Sequence, residues 1–418
     1  MDSVPQPPTN AQPTTTASPR LAYLDATRAF ALLLGVVFHA SLSFVPVFIG
    51  WAVQDISTSW YSAAFATISH SFRMELFFLL AGFFGHMTLH RKGLKELLTA
   101  RSIRIVIPFI VGWFFLQPLV ASGWTMGAMS MRGDYEFWAS LALGFQNLKN
   151  LPKGLLVGTH LWFLYYLIII TGLTVIGRAL ISSWQTGADA MRRIFDKRIA
   201  WLADSPWALP AAVIPISLVL DQMSSWGVDA TDESLVPNLT LVLLYGGFFS
   251  LGWLLNRQPQ TITHFAKITW WRCTAALLAI VVTVMLFSIQ LDPGHPQYRP
   301  AHLVFNVSYA LMMWTLVWLT IGIFRLLCHQ PNKVIRYFAD SSYWMYLIHL
   351  PIVIWLQVAV AELPLHWSLK LGFVSSATIS IGLLTYDLFV RSTFIGHTLS
   401  GRRQDRVIFT VKTQPLPD

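Results

Sequence analysis

The chain has 418 residues, of which 55% are hydrophobic and only 12% are charged. A soluble domain carries about 25% charged residues, so this balance excludes an ordinary soluble enzyme and a disordered chain. In a soluble protein the net charge of +9 would suggest nucleic acid as a partner. In so apolar a chain it indicates basic loops beside a membrane, and we expect a lipid bilayer and no nucleic acid as the partner.

Apolar runs of about 20 residues alternate with short basic loops, a pattern typical of a polytopic membrane protein. The predicted fold is all-α, with about ten transmembrane helices in one bundle. The predicted spans are 28–48, 61–88, 104–122, 159–181, 207–223, 236–255, 270–290, 303–325, 341–361 and 369–390. Residues 135–148 are apolar and aromatic but too few to span, so we expect a helix at the membrane interface.

The distribution of Lys and Arg sets the predicted orientation. If both termini are cytoplasmic and each span crosses, the basic residues outside the cytoplasm are Arg132, Lys149, Lys153, Arg299, Lys370 and the intramembrane Arg73. Residues 1–19 lack the features of a signal peptide and predict a flexible tail. We expect one transmembrane domain over 20–392 and a cytoplasmic C-terminal tail over 393–418.

Span 1 carries Arg28 and His39 on one face, because eleven residues at 100° each complete about three turns. The axial rise is about 16 Å, which places His39 near mid-membrane and Arg28 at the cytoplasmic edge. On these grounds alone, a histidine that packs against a neighbouring helix explains His39 as well as a functional one does.

Span 2 carries Arg73 and Glu75 at a depth near that of His39. Because they are two residues apart, they point to different sides of the helix and do not simply neutralise each other. Each needs partners from other helices or from water. Two interpretations stay open, a structural ion network and a polar cavity in the bilayer core.

Further polar residues stand at the ends of later spans. Arg101 and Arg104 share a helix face at the start of span 3 and suit phosphate groups, although positive-inside anchoring also explains them. His160 lies at the external boundary of span 4, and Tyr346 and His349 lie in span 9. Taken singly, such residues are more often structural than functional.

Several signatures of other enzyme classes are missing from the chain. It has no GxxxxGK[ST] loop for ATP, no HExxH or paired CxxC for zinc and no GxSxG for a hydrolase. Its two cysteines, Cys273 and Cys328, form no metal-ligand pattern. We therefore predict no metal site and no tightly bound cofactor.

Taken together, these motifs resemble the membrane acyltransferase-3 family. The resemblance is carried by Arg28 with ten residues before His39, ELFFLLAGFF at 75–84, RSIR at 101–104, HLWFLYYL at 160–167 and SYWMYLIHLP at 342–351. Their order and spacing over residues 20–390 make the set specific, whereas each motif alone is weak. Within the family, FRMELFFLLAGFF and the shape of the whole chain most resemble succinyltransferases of periplasmic glucans.

The resemblance implies transfer of an acyl group from cytoplasmic acyl-CoA to a carbohydrate hydroxyl on the far side of the bacterial inner membrane. Succinyl-CoA is the donor that the closer resemblance suggests. The family's recurrent functional arginines and histidine carry over to Arg28, His39, Arg101 and Arg104. Glu75 stands where many relatives have an uncharged residue, which leaves its role open.

These residues allow a specific mechanism to be predicted. A neutral imidazole at His39 can take the proton of the acceptor hydroxyl. Glu75 is the candidate carboxylate to orient that ring, and Arg73 or a tyrosine could stabilise the oxyanion. Arg28, Arg101 and Arg104 would hold the CoA phosphates. His160, Tyr346 and His349 are assigned to the acceptor substrate.

Two alternative classes use the same residues. A transporter or flippase for an anionic or lipid-linked sugar could use the buried charges as a substrate path. The sequence lacks the internal repeat and paired broken spans that are typical of that class. A membrane scaffold without activity would leave Arg73, Glu75 and His39 poorly explained.

Overall fold

A computed structural model describes residues 21–131, 136–146, 160–205, 207–224, 227–229, 236–328, 330 and 332–408. Within these ranges all regular secondary structure is helical, which confirms the all-α prediction. The helices, numbered in chain order, are α1 (Ala22–Ser41), α2 (Trp60–Arg101), α3 (Ile107–Ser130), α4 (Phe137–Gln146), α5 (Trp162–Ser183), α6 (Gln185–Asp204), α7 (Ala208–Leu220), α8 (Leu239–Arg257), α9 (Gln260–Phe265), α10 (Trp270–Gln290), α11 (Tyr298–Leu327), α12 (Lys333–Val360), α13 (Trp367–Thr385) and α14 (Phe394–Ser400). The tail predicted over 1–19 lies outside the described residues.

Eight helical segments of the described chain are long and apolar enough to cross a membrane, or nine if α6 and α7 form one broken span. A multi-pass helical protein is therefore confirmed, while the count of ten spans stays a prediction. The predicted span 207–223 corresponds to α7, whose 13 residues extend only about 20 Å. It reaches membrane length only together with α6, across a bend of 108°.

One of the eight segments, Trp60–Ser130, covers two predicted spans, 61–88 and 104–122. Gly93 interrupts it with a φ of 86°, a backbone conformation open mainly to glycine. Beyond that break, Arg101 donates from Nη2 to the carbonyl of Ala81 at 3.0 Å. Twenty residues of straight helix would separate these positions by about 30 Å, so the chain doubles back. The segment is thus two helical legs, and the second returns Arg101 to the first.

Helix α1 lies inside the bundle, in contact with α2, α11, α12 and α13. Its small side chains allow this close packing, and Ala31, Val36 and Ala40 are almost fully buried. A helix surrounded in this way presents each of its faces to protein. The polar residues of α1 therefore face a polar cavity or a partner helix.

Two short segments pack in one apolar cluster at the end of the bundle where α1 ends. The interfacial segment predicted at 135–148 contains α4, which packs on α3 with Gly144 directly against the carbonyl of Pro118. Residues 45–59 fold over the C-terminal end of α1, where the amide of Asp55 donates to the carbonyl of Ser43 at 2.9 Å. The Asp55 carboxylate accepts from Lys370 Nζ at 2.7 Å in a fully buried ion pair. That pair ties the 45–59 loop to α13.

Candidate active site

A cavity of about 630 Å³ opens among α1, α2, α5, α12 and the C-terminal segment. All of the predicted site residues except Glu75 line it. These residues are Arg28, His39, Arg73, Arg101, Arg104, His160, Tyr346 and His349. Along α1, Arg28 and His39 are about 16 Å apart, which sets the length of the cavity. We call its two ends the arginine end (Arg28, Arg101, Arg104) and the histidine end (His39, His160, His349).

The arginine end gathers guanidinium groups that the chain carries far apart. Arg28 lies 3.6 Å from the carboxylate of Asp25 and donates to the carbonyl of Ala339 on α12 at 3.2 Å. The reversal in α2 places Arg101 against the same cavity, and the backbone carbonyl of Arg104 accepts a hydrogen bond from Tyr343 at 2.5 Å. Positive charge from two distant chain segments therefore converges on one opening.

The histidine end places three imidazoles in a row. The ring centres of His39 and His349 are 5.2 Å apart, and those of His349 and His160 are 5.3 Å apart. The sequence predicted His39 as the central residue and assigned the other two to the acceptor. The structure places His349 beside His39 on the same cavity wall, so it is a second candidate base.

Backbone carbonyls determine the tautomers of two of these rings. His349 Nδ1 lies 2.7 Å from the carbonyl of Tyr346, and His160 Nε2 lies 2.7 Å from that of Leu347. A carbonyl only accepts hydrogen bonds, so each of these nitrogens carries the proton. In the neutral ring of His349 the lone pair is then on Nε2, and that of His160 is on Nδ1. These rings can each accept one proton at a defined atom.

The ring of His39 is held differently. It stacks on Trp51 with ring centres 5.6 Å apart, and its Nδ1 is buried without a hydrogen-bond partner. Gln357 connects the two residues: its amide nitrogen donates to the His39 carbonyl at 3.0 Å, and its oxygen accepts from Trp51 Nε1 at 2.9 Å. Stacking and backbone bonds, rather than a carboxylate, therefore position this imidazole.

The predicted contact between Glu75 and His39 is absent. Glu75 is fully buried outside the cavity lining, and neither carboxylate oxygen has a hydrogen-bond partner. The reason is helical geometry, because residues two apart on a helix point about 200° from each other. Since Arg73 faces the cavity, Glu75 faces away from it. A similar depth in the membrane was not enough to bring the carboxylate to the ring.

Arg73 supplies the one positive charge beside the three histidines in the described part of the cavity wall. Its guanidinium lies 4.3 Å from the ring centre of Phe38, and its Nη1 is buried without a hydrogen-bond partner. Gly35 on α1 faces this group, and a Cβ there would lie in van der Waals contact with Nη1. A buried, unpartnered N–H on a cation is suited to bind an anionic group.

Sequence reasoning missed Trp51 and Gln357. Trp51 belongs to the 45–59 loop, and its contacts with His39 depend on how that loop folds. Gln357 lies in an apolar stretch of α12, where a lone glutamine gives no chemical signal. The C-terminal residue Arg402 also lines the cavity, although the sequence suggested only a basic tail there.

Comparison with known proteins identifies the family. Residues 21–387 match a family described as an acyltransferase domain. The chain is 26% identical over 398 residues to glucans biosynthesis protein C of Salmonella paratyphi A and of Salmonella agona, covering 92% of this chain and 96% of each relative. The protein of the same name from Salmonella typhi is 25% identical with the same coverage. No solved structure matches the chain significantly.

The matched region contains every residue that lines the histidine end, together with Arg28, Arg101 and Arg104. It ends before the C-terminal segment that carries Arg402. With the match covering most of the sequence, the chain belongs to the acyltransferase-3 family of membrane acyltransferases.

Proposed function

We propose that the protein is an O-acyltransferase of the bacterial inner membrane that moves an acyl group from acyl-CoA to a hydroxyl of a periplasmic or extracellular glucan. The observation that carries this proposal is the single cavity, which joins a cluster of arginines to a row of histidines. The names of the relatives support a glucan-related acceptor. Family membership favours this enzyme over the transporter and the scaffold.

In the proposed orientation the arginine end faces the cytoplasm, with both termini on that side and ten spans in all. The asymmetric distribution of basic residues supports it. Acyl-CoA is a cytoplasmic molecule with several phosphate charges. Arginine binds phosphate through two parallel N–H groups, so Arg28, Arg101 and Arg104 would hold these phosphates. The thioester arm would then extend about 16 Å along α1 to reach His39.

At the histidine end a neutral imidazole acts as the base. It takes the proton of the glucan hydroxyl as the oxygen attacks the thioester carbonyl, which forms the C–O bond. Arg73 stabilises the negative oxygen of the tetrahedral intermediate. The C–S bond then breaks, and the leaving thiolate takes the proton from the imidazolium. The products are an ester and free CoA thiol, and no external proton is consumed.

His39 and His349 are the two candidates for this base. His349 has its Nδ1 proton fixed by a carbonyl, which leaves Nε2 to accept a proton. His39 lies between His349 and Trp51 of the 45–59 loop. It is therefore nearer than His349 to an acceptor that enters from outside. We assign the proton transfer to His39, with His349 beside it to bind the acceptor together with His160 and Tyr346.

Trp51 belongs to the acceptor path. It covers the outer side of His39 and contacts Trp124, with ring centres 5.2 Å apart. The broad aromatic ring of Trp51 suits the apolar face of a sugar. An acceptor from outside has to displace Trp51 or stack on it to reach the histidine.

The test uses purified protein with succinyl-CoA and a glucan acceptor. Release of free thiol and a matching mass increase of the glucan, both dependent on the protein, are the expected result. Acetyl-CoA in a parallel reaction identifies the preferred acyl group. Binding of glucan without consumption of any acyl-CoA would overturn the proposal and return the transporter to consideration.

A further inference from the structure

The C-terminal segment, residues 391–408, folds back onto the bundle. Asp387, fully buried, accepts from the amides of Val407 at 2.9 Å and Ile408 at 3.0 Å. Arg391 donates from Nε to the carbonyl of Asp405 at 2.6 Å, and its own carbonyl accepts from the amide of Gln404 at 2.9 Å. These bonds close the segment into a compact strap next to the last long helix.

The strap forms part of the wall at the arginine end. Leu399, Ser400 and Arg402 line the cavity together with Arg28 and Arg104. The segment is therefore placed to contact whatever binds at that end.

Asp340 on α12 holds the Arg402 side chain in place. Arg402 Nη2 lies 3.2 Å from both carboxylate oxygens of Asp340, and Gln404 Nε2 donates to the same carboxylate at 3.1 Å. Only one of the three guanidinium nitrogens of Arg402 makes this contact. A guanidinium has five N–H donors, so the others stay available for a ligand. Arg402 is 40% exposed, which leaves it accessible from the opening.

A glycine in the strap also touches Arg104. Gly401 ends α14 with a φ of 78°, and its α-carbon lies so close to Arg104 Nη2 that an added Cβ would overlap the guanidinium. The positive φ favours glycine here, and an added Cβ would displace the Arg104 guanidinium. The strap thus packs directly against the Arg104 side chain.

We propose that this strap completes the donor site, with Arg402 as a further residue that binds the phosphates of the CoA thioester. Asp340 positions Arg402, and Gly401 leaves room for the Arg104 side chain. The inference rests on the proposed function, because it names the part of the same donor that Arg402 contacts. Four arginines, Arg28, Arg101, Arg104 and Arg402, then surround the entrance of the cavity.

The experiment compares acyl-CoA with acyl-pantetheine, a thioester that lacks the nucleotide and its phosphates. In Arg402→Ala the KM for acyl-CoA should rise by about 10- to 100-fold, the effect of losing a charge-assisted hydrogen bond. The KM for acyl-pantetheine should stay unchanged. Arg403→Ala is the matched control, because Arg403 is the adjacent arginine and does not line the cavity. It should leave both constants unchanged.

Two further variants test how Arg402 and Arg104 each act in donor binding. Arg402→Lys keeps the charge without the fork and should recover part of the acyl-CoA affinity. Gly401→Ala should raise the KM for acyl-CoA in the wild-type background and add little in an Arg104→Ala background, since it acts through Arg104. Additive effects would contradict this role.

The outcomes distinguish failure of this inference from failure of the proposed function. If the wild type consumes no acyl-CoA, the proposed function fails. If the wild type prefers acyl-CoA to acyl-pantetheine but Arg402→Ala leaves that preference intact, only the strap inference fails. An equal rise of both KM values in a folded Arg402→Ala protein indicates a structural or lipid-phosphate contact, and this also overturns the inference.

Discussion

The arginine end and the histidine end of the cavity differ in charge, in exposure and in the way their side chains are held. The side chains of Arg28 and of the neighbouring Arg402 are 37% and 40% exposed, whereas His160 and His349 are buried. An exposed cluster of charge can bind and release an anion without a large desolvation cost. A buried site excludes water and strengthens the electrostatic effect of each polar group. The two ends are suited to binding and to chemistry respectively.

The supports of the two ends differ as well. Carboxylates contact two of the arginines, Asp25 beside Arg28 and Asp340 beside Arg402, while Arg101 donates to a backbone carbonyl. Backbone carbonyls and aromatic rings hold the histidines. The comparison predicts that substitutions at the arginine end change the KM for the donor, while those at the histidine end change kcat. The following substitutions test this division, from the largest expected effect to the smallest.

Replacement of His39 should have the largest effect. We expect His39→Gln to lower kcat by about 10²- to 10⁴-fold, because an amide can donate a hydrogen bond but does not accept a proton at neutral pH. The measurement is the transfer rate per folded molecule, with the KM for acyl-CoA unchanged. His70→Gln is the control, since His70 is a half-buried neighbour on α2 that does not line the cavity.

The same assay on His349→Gln decides between the two candidate bases. A loss as large as that of His39→Gln would mean that both imidazoles take part in proton transfer. Near-normal turnover of His39→Gln together with an inactive His349→Gln would move the base to His349 and refute the assignment to His39.

Replacement of Arg101 or Arg104 should act on donor binding. We expect each Ala variant to raise the KM for acyl-CoA by about 10- to 100-fold and each Lys variant to recover part of the loss. Arg193→Ala, an exposed arginine on α6, is the control for a general loss of positive charge. A fall in kcat with an unchanged KM for acyl-CoA would contradict the assignment of donor binding to the arginine end and of chemistry to the histidine end.

Trp51 lies on the outer side of His39, and its replacement should have a smaller effect. We expect Trp51→Ala to raise the KM for the glucan by roughly 2- to 10-fold, the range of one aromatic contact. It should also increase thiol release in the absence of glucan, because water gains access to His39. Trp51→Phe keeps the stacking and should stay close to the wild type. No change in either quantity would exclude Trp51 from the acceptor path.

The sequence predicted the main features of the fold and of the site for definite reasons. Long apolar runs predict helices well, and each predicted span has a helix in the structure, although α7 is too short to span alone. Helical periodicity also placed Arg28 and His39 on one face, and both line the cavity. Residue type was enough to find the arginines and histidines, because ionisable groups are rare in apolar segments.

Contacts between distant segments could not be predicted in this way. Trp51 meets Gln357, and Asp55 meets Lys370, across about 300 residues of chain. Periodicity gives no information on which distant helix lies opposite a given face. The same limit applies to the expected contact of Glu75 with His39, since the depth of Glu75 along the helix was known but the direction of its side chain was not.

Glu75 and Arg73 provide the last test, because they are two residues apart on one helix and only Arg73 reaches the cavity. Arg73→Gln should lower kcat by about 10²-fold or more, since it removes the cation that faces the developing oxyanion. Glu75→Gln has the same shape as the native side chain and lies outside the cavity, so kcat should change by about twofold or less. Both rates are measured per folded molecule, with thermal unfolding recorded in parallel. A large loss of kcat in a folded Glu75→Gln protein would show that the carboxylate acts on the reaction through Arg73. The contrast between the two positions would then have to be explained by coupling along the helix rather than by the direction in which each side chain points.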